Sequence, residues 1–186
     1  MTDDLLRQLT AWAADQQIVE AAASRRRQRS LQQQAEESST LVGMLVDHAE
    51  RGTTVAVRTM RDVTHTGVPV AVASDFVLLR NNRLDIFVRL ADVASVRTDP
   101  ATPTRPATGD RPAALELNLV DALFGMVHAR PRIVLGLLGA AQDLLGELRS
   151  VGADIVTLKL DGSDALIHVP QDAIVEVTLL ERLDFD

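Results

Sequence analysis

The densest group of chemically capable side chains lies in the run SRRRQRS, where Arg25, Arg26, Arg27 and Arg29 fall within five positions. Guanidinium groups at this spacing can bind nucleic-acid phosphates or the carboxylates of a protein partner. A run of like charges is also typical of a solvated helix face, which is the simpler interpretation. Both interpretations stay open at this point.

Two aspartates occupy matching places in two similar segments. Asp75 stands in VASDFVLL (72–79), and Asp154 stands in VGADIVTL (151–158). An Asp beside a strand commonly accepts hydrogen bonds from nearby backbone amides. We therefore predict a structural turn role for Asp75 and Asp154. Gly67 and Gly146, eight residues before them, are predicted to lie within the long second strand of each domain, where the missing side chain allows a sharp bend; an ordinary turn is the alternative.

The chain lacks the side-chain patterns of the common catalytic and metal sites. It contains no cysteine, and its four histidines, at 48, 65, 128 and 168, have no metal-ligand spacing. It also has no phosphate-binding glycine loop, no nucleophile elbow and no zinc-protease motif. The sequence predicts a protein that is not an enzyme and that uses no cofactor and no metal.

Composition and charge narrow the class of partner. The net charge is −7, and residues 114–186 carry 12 acidic but only 5 basic side chains, so this portion repels a polyanion. Aromatic residues make up 3% of the chain, which leaves few platforms for base stacking. The polar start MTDDLLRQ and the lack of an 18-residue apolar run predict a cytoplasmic protein without a membrane segment.

A proline-rich segment divides the chain. Residues 98–113 hold four of the seven prolines and show no apolar periodicity, which predicts an extended linker. Before it we expect an N-terminal helical segment over 1–39 and a first domain over 40–97, and after it a second domain over 114–186. An apolar stripe from Leu5 to Ala22 in the first segment predicts a helix that docks on a domain or pairs with another copy.

The two domains repeat one pattern. An amphipathic helix begins near Leu41 and again near Leu119, at an offset of 78 residues. Apolar alternation then predicts five short strands in each domain, with offsets of 78, 79 and 81 that change only between strands. Strands this close together must pair antiparallel, and a small bent barrel hides most of their edges.

The first domain resembles the Sm/LSm fold, including its bacterial Hfq branch. The resemblance lies in the order of a helix followed by the strands TTVAVRTM, GVPVAVASDFVLL, LDIFVRL and ADVASV. The second domain resembles the same fold in the segments RIVLGLLG, GELRSVGADIVTLKL and ALIHVPQDAIVEV. The implied fold class is mainly β with helices: an N-terminal helix followed by two tandem Sm-like or SH3-like five-stranded barrels, each preceded by a short helix. The layout also resembles actinobacterial helix-plus-two-barrel proteins sometimes labelled Fis-like regulators, although no helix-turn-helix is present.

The Sm resemblance implies RNA contacts that the sequence keeps only in part. Asp75 and Arg89 match the Asp and the basic residue that family members use for RNA, whereas Phe76, Val77 and Leu90 depart from the motif. In the second domain Asp154 matches, and the residues that depart are Ile155, Val156, Pro170 and Gln171.

Two functions follow as expectations. The first is a protein-interaction and assembly scaffold, whose barrels pair edge to edge and whose N-terminal helix recruits a protein partner. We expect a homo-oligomer that associates through the strand edges DIFVRL and ALIHVP or through the N-terminal helix. The two barrels of one chain can also pair with each other, which leaves one free edge at each end. The alternative is an RNA-associated regulator. Its candidate nucleic-acid-binding residues are Arg25, Arg26, Arg27, Arg29, Arg58, Arg61 and Arg89. Acidity and scarce aromatic residues favour the scaffold.

Overall fold

The computed structural model describes residues 20, 21, 23–82, 84–98 and 111–180 of the 186-residue chain. The predicted apolar stripe over Leu5 to Ala22 and most of the predicted linker over 98–113 lie outside these residues.

Three helices occur in the described part of the chain. Helix α1 covers residues 23–37, α2 covers Leu41–Arg51 and α3 covers Leu119–Met126. The side chain of Thr40 accepts a hydrogen bond from the Gly43 amide to cap α2, and Asn118 caps α3 in the same way. None of the described helices is long and apolar enough to cross a membrane.

The rest of the described chain is mainly β. The first five strands are β1 (Val55–Thr59), β2 (Thr64–Val72), β3 (Phe76–Asn81), β4 (Leu84–Arg89) and β5 (Val93–Thr98). The second five are β6 (Arg132–Leu137), β7 (Leu144–Val151), β8 (Ile155–Leu160), β9 (Leu166–Pro170) and β10 (Ile174–Leu179). We call α2 with β1–β5 the N-terminal half, and α3 with β6–β10 the C-terminal half.

All ten strands join one antiparallel sheet in the order β5-β1-β2-β3-β4-β10-β6-β7-β8-β9. Each half has the same internal order, since β5 and β10 each pair with the first strand of their own half. The register repeats too: Val55 pairs with Gly67, and Ile133 pairs with Gly146. The sequence offsets of 78, 79 and 81 are therefore also offsets between equivalent strand pairs.

Two apolar clusters stabilise the sheet. One lies within the N-terminal half, where Leu45 of α2 packs with Val57 and Leu79. The other centres on the C-terminal half but includes Phe76 and Phe87 from β3 and β4. Because alternate residues of a strand point to opposite faces, β3 and β4 contribute one face to each cluster. The two halves therefore share buried surface.

The end of the predicted linker is fixed to the N-terminal half. Arg111 forms hydrogen-bonded ion pairs with Asp47 and Glu50 of α2. The hydrogen bond from Arg111 holds the pKa of the Glu50 carboxyl below its usual range. A few residues later, the amides of Ala114 and Leu115 donate to the carbonyl of Val72 at the end of β2. This stretch thus lies along the sheet before it enters α3.

Candidate assembly interface between the two halves

The central feature of the junction is a strand pair that joins the two halves. Strand β4 pairs antiparallel with β10, with Val88 opposite Glu176 and Asp85 opposite Leu179. The sheet therefore continues from one half into the other without a break. Backbone pairing at a sheet edge is a general way in which proteins recognise one another, and here it operates within one chain.

A buried cluster of charged side chains stabilises this strand pair. Arg61, in the turn between β1 and β2, reaches across the junction and donates from Nη1 to Glu176 Oε1 at 2.6 Å and from Nη2 to Asp143 Oδ1 at 2.6 Å. The side chains of Arg61 and Glu176 are only 7% and 5% exposed. Because both partners are desolvated, removing either would leave the other buried with part of its charge compensation lost.

His65 of β2 completes the cluster on its other side. Its Nε2 lies 2.9 Å from Glu176 Oε2, which is ion-pair distance, although neither atom makes a hydrogen bond of acceptable geometry. Burial by itself raises the pKa of Glu176, but contact with His65, the charge of Arg61 and the Thr59 hydroxyl outweigh it and hold the pKa below its usual range. Glu176 is therefore an anion at neutral pH.

Gly136 of β6 provides the space for this cluster. It pairs with Glu176 in the ladder between β6 and β10. A Cβ atom at position 136 would overlap the Arg61 guanidinium and would lie 2.5 Å from Glu176 Cγ. A side chain here would displace the ion pair, so the glycine is required by the close approach of Arg61.

Asp75 links the halves at a second place. Its Oδ1 accepts a hydrogen bond of 2.8 Å from the backbone amide of Leu119, the first residue of α3. Its own carbonyl accepts from the Leu90 amide, which fixes the loop between β2 and β3. A carboxylate at a helix N-terminus satisfies a free amide and stabilises the helix dipole. The predicted structural role of Asp75 thus takes a specific form, in which one half caps the helix of the other.

Apolar side chains fill the space beside this cap. The rings of Phe76 and Phe87 lie 5.4 Å apart between their centroids and face α3. A groove of about 370 Å³ remains open next to them, and Asp121 is its only charged lining residue among those described. The other lining residues are Ala71, Phe76, Leu78, Phe87, Leu115, Leu117, Ala122, Gly125 and Met126.

The predicted N-terminal arginine cluster lies on α1. Arg25, Arg26, Arg27 and Arg29 are all exposed there, and Arg25 Nε donates to the Ala21 carbonyl one turn earlier. Almost every described residue of α1 is exposed, with only Ala23 and Ala35 partly buried. The cluster is therefore accessible, but the described residues do not bring it together with the arginines of the sheet.

The other three predicted nucleic-acid-binding residues each face a carboxylate. Arg58 pairs with Asp62 on the surface, and Arg61 is buried against Glu176 and Asp143 as described above. Arg89 is only 14% exposed, and its Nη1 lies 4.0 Å from Asp172 of the C-terminal half. These arginines are spread over the junction and do not form one free basic surface.

Gly67 and Gly146 lie inside β2 and β7, not in turns. A Cβ atom at Gly67 would lie 2.8 Å from the carbonyl oxygen of Arg80 in the adjacent strand, and one at Gly146 would overlap the carbonyl oxygen of Lys159. Their structural role is thus to permit a close strand approach. Asp154 lies in a bend, where its carbonyl accepts from the Gln171 amide.

Two edges of the sheet have no partner strand among the described residues. These edges are β5 and β9, the first and last strands in the sheet order. The sequence expectation placed free edges at DIFVRL and ALIHVP. It holds for ALIHVP, which forms β9, but DIFVRL forms β4 and is covered by β10. The sequence left open whether the two domains pair with each other, and the structure pairs β10 with the edge of β4.

Sequence reasoning also missed the buried cluster around Glu176. The signal was a charged residue in the middle of the apolar run AIVEVTL, at the place where the first half has Ser95 in ADVASVRT. A charge in a strand that is otherwise apolar on both faces requires a buried partner. Nothing in the sequence indicates that the partner is Arg61, which lies 115 residues away.

The described residues hold no group of three or more His, Asp or Glu side chains arranged to bind a metal ion. No protein-family model and no curated protein matches this chain.

Proposed function

We propose that this chain is a non-enzymatic assembly scaffold of two Sm-like barrels, which join edge to edge within the chain and associate with further copies through their outer edges. The N-terminal half is the first barrel and the C-terminal half the second. The observation that supports this most directly is the β4–β10 pair, because it shows that the two edge types of this repeat fit each other.

The outer edges of β5 and β9 can form backbone hydrogen bonds with further copies of the chain. Strand β5 is mostly exposed and β9 is exposed at three of its five positions. Neither strand carries a lysine, and only Pro170 at the end of β9 lacks a backbone donor. An unpaired edge with so few blocking residues favours strand addition, which natural proteins otherwise prevent.

The charge distribution gives the RNA-regulator alternative less support. Arg58, Arg61 and Arg89 each lie against an acidic side chain. An arginine already neutralised by a carboxylate releases little counterion energy when it meets a phosphate. The four candidate arginines of α1 are exposed, but the C-terminal half adds excess negative charge.

The scaffold proposal is tested by light scattering coupled to gel filtration in 0.5 M salt. Edge pairing is made of backbone hydrogen bonds and apolar contacts, so we expect an assembly of at least two chains that persists at this salt concentration. A particle of 20.2 kDa, the mass of one chain, at all micromolar concentrations would refute the proposal.

A parallel titration separates the alternative. Fluorescence anisotropy of a labelled mixed-sequence RNA at low salt should show no saturable binding. If RNA does bind, and replacing Arg25, Arg26, Arg27 and Arg29 with Ser abolishes it without changing the mass of the assembly, the regulator function is supported over the scaffold.

A further inference from the structure

The intrachain junction consists of two complementary surfaces, and the repeat places a second copy of each on the outside of the molecule. The first surface is the edge of β4 with the Asp75 carboxylate, and its equivalent is the edge of β9 with Asp154. The second is the edge of β10 with the N-terminus of α3, and its equivalent is the edge of β5 with the N-terminus of α2. Within the described residues no strand pairs with the outer edge of β5 or of β9.

We propose that the β9 surface of one copy docks on the β5 surface of the next, with the Asp154 carboxylate capping helix α2 of that neighbour at Leu41. This inference rests on the proposed scaffold function and specifies its partner and its geometry. The partner is a second copy of the same chain, because one chain carries both complementary surfaces.

The repeat fixes the register of the new strand pair. In the junction Asp85 faces Leu179 and Val88 faces Glu176. Subtracting or adding the offset of 81 residues places Leu166 of one copy opposite Thr98 of the next, and Val169 opposite Ser95. A shift by one residue would turn every side chain to the other face of the sheet, so the offset gives a single register.

The helix cap follows from the same correspondence. Asp75 accepts from the Leu119 amide at 2.8 Å, and the repeat equivalents of these residues are Asp154 and Leu41. The loop at Asp154 has the matching backbone hydrogen bond, from the Gln171 amide instead of Leu90. Asp154 is exposed, and within the described chain neither its carboxylate nor the Leu41 amide has a hydrogen-bond partner.

The contact between copies differs from the junction in one respect. The repeat equivalents of Glu176 and Arg61 are Ser95 and Gly139, so the buried ion pair is not reproduced. The contact between copies is therefore held by backbone pairing, apolar contact and the Asp154 cap. Because its two sides are different surfaces, it is head to tail and yields either a closed ring or a filament.

Engineered cysteines test this geometry, since the chain has no native cysteine. Two full-length variants, Leu166→Cys and Thr98→Cys, are mixed under mild oxidation. We expect a disulfide-linked pair of chains in the mixture and none in either variant alone. A matched control replaces Thr98→Cys with Arg97→Cys, whose side chain points to the opposite face, and should give little cross-linking.

The cap is tested by the strength of association. Asp154→Ala should weaken association roughly three- to thirtyfold, the effect of losing a helix cap. Asp154→Asn should restore most of it, because an amide oxygen also accepts from a helix amide. Glu116→Ala removes an exposed negative charge elsewhere and should leave association unchanged.

The outcomes distinguish this inference from the scaffold function. Assembly in which either cysteine variant cross-links with itself, or in which only the Arg97→Cys control cross-links, overturns the head-to-tail docking but leaves the scaffold intact. Equal association of Asp154→Ala and the wild type overturns the cap. A chain that stays monomeric overturns both proposals.

Discussion

The carboxylate of Asp75 accepts a hydrogen bond of 2.8 Å from the backbone amide of Leu119, so the N-terminal half caps the first turn of the helix that opens the C-terminal half. Asp75 precedes Leu119 by 44 residues, and the predicted linker lies between them. The relationship therefore couples the stability of α3 to the folding of the other half.

Replacing the cap should destabilise the single chain. Asp75→Ala should lower the free energy of unfolding by about 0.5–2 kcal/mol, because the Leu119 amide loses its acceptor. Urea unfolding at submicromolar concentration measures this. The matched control is Asp154→Ala, which should leave unfolding unchanged under the same dilute conditions because no amide among the described residues donates to the Asp154 carboxylate. Equal losses in both variants would contradict the assignment of the cap to Asp75.

Replacing Arg61 should lower the stability of the chain much more than replacing Arg58. Arg61→Ala should cost about 3–5 kcal/mol, since it leaves Glu176 buried without its guanidinium partner. Arg58→Ala removes an exposed ion pair with Asp62 and should cost less than about 1 kcal/mol. Chemical denaturation of both variants measures the difference. Similar costs would show that the Arg61 cluster contributes no more than a surface pair.

Substituting the glycines in β2 and β7 should destabilise the fold. Gly67→Val and Gly146→Val should each lower stability by about 1–3 kcal/mol, because the new side chain would overlap a carbonyl of the adjacent strand. Gly125→Ala in α3 is the control, because a Cβ atom there meets nothing within 4 Å and alanine favours a helix. Thermal unfolding compares the three, and unchanged melting in both valine variants would show that the strands do not approach this closely.

Stability should fall as the pH drops through about 6.5, in part because of His48. This side chain is buried at the end of α2, with Nδ1 2.6 Å from Thr53 Oγ1, and burial followed by the charge of Arg51 holds its pKa below the ordinary value of about 6.5. The unfolded chain then binds a proton at a higher pH than the folded chain does, so acid favours unfolding.

His48→Gln isolates this contribution. The difference in unfolding free energy between wild type and variant should be constant at pH 7.5–8.5, where the imidazole is neutral in both states, and should shift in favour of the variant toward pH 5.5. Parallel pH profiles for the two proteins would contradict the buried, neutral state of His48.

Local and repeated features of this molecule were accessible from the sequence because each depends on neighbouring residues. Thr40 and Asn118 cap their helices, each half contains five strands, and the register repeats with the sequence offsets. In contrast, the choice of β10 as the partner of β4 depends on contacts between residues about 90 positions apart. No local pattern records such a pairing.

The site illustrates the same limit at the level of single residues. Arg61 and Arg89 are basic residues whose sequence neighbours suggest a surface that binds anions, yet the fold places Glu176 and Asp172 of the other half beside them. Asp75 was predicted to serve its own turn, and its carboxylate instead reaches the helix of the other half. In each case the sequence indicated that the residue would bind a group of opposite charge or an amide, but it did not indicate which residue that partner would be.

Concentration-dependent amide hydrogen exchange tests the central claim, that the outer edges β5 and β9 join copies of the chain. Peptides that cover Val93–Thr98 and Leu166–Pro170 should exchange slowly at high protein concentration and faster on dilution, while β4 and β10 should stay protected throughout because they pair within the chain. Rapid exchange of both outer edges in a sample that light scattering shows to be assembled would contradict the claim, because the copies would then associate through another surface.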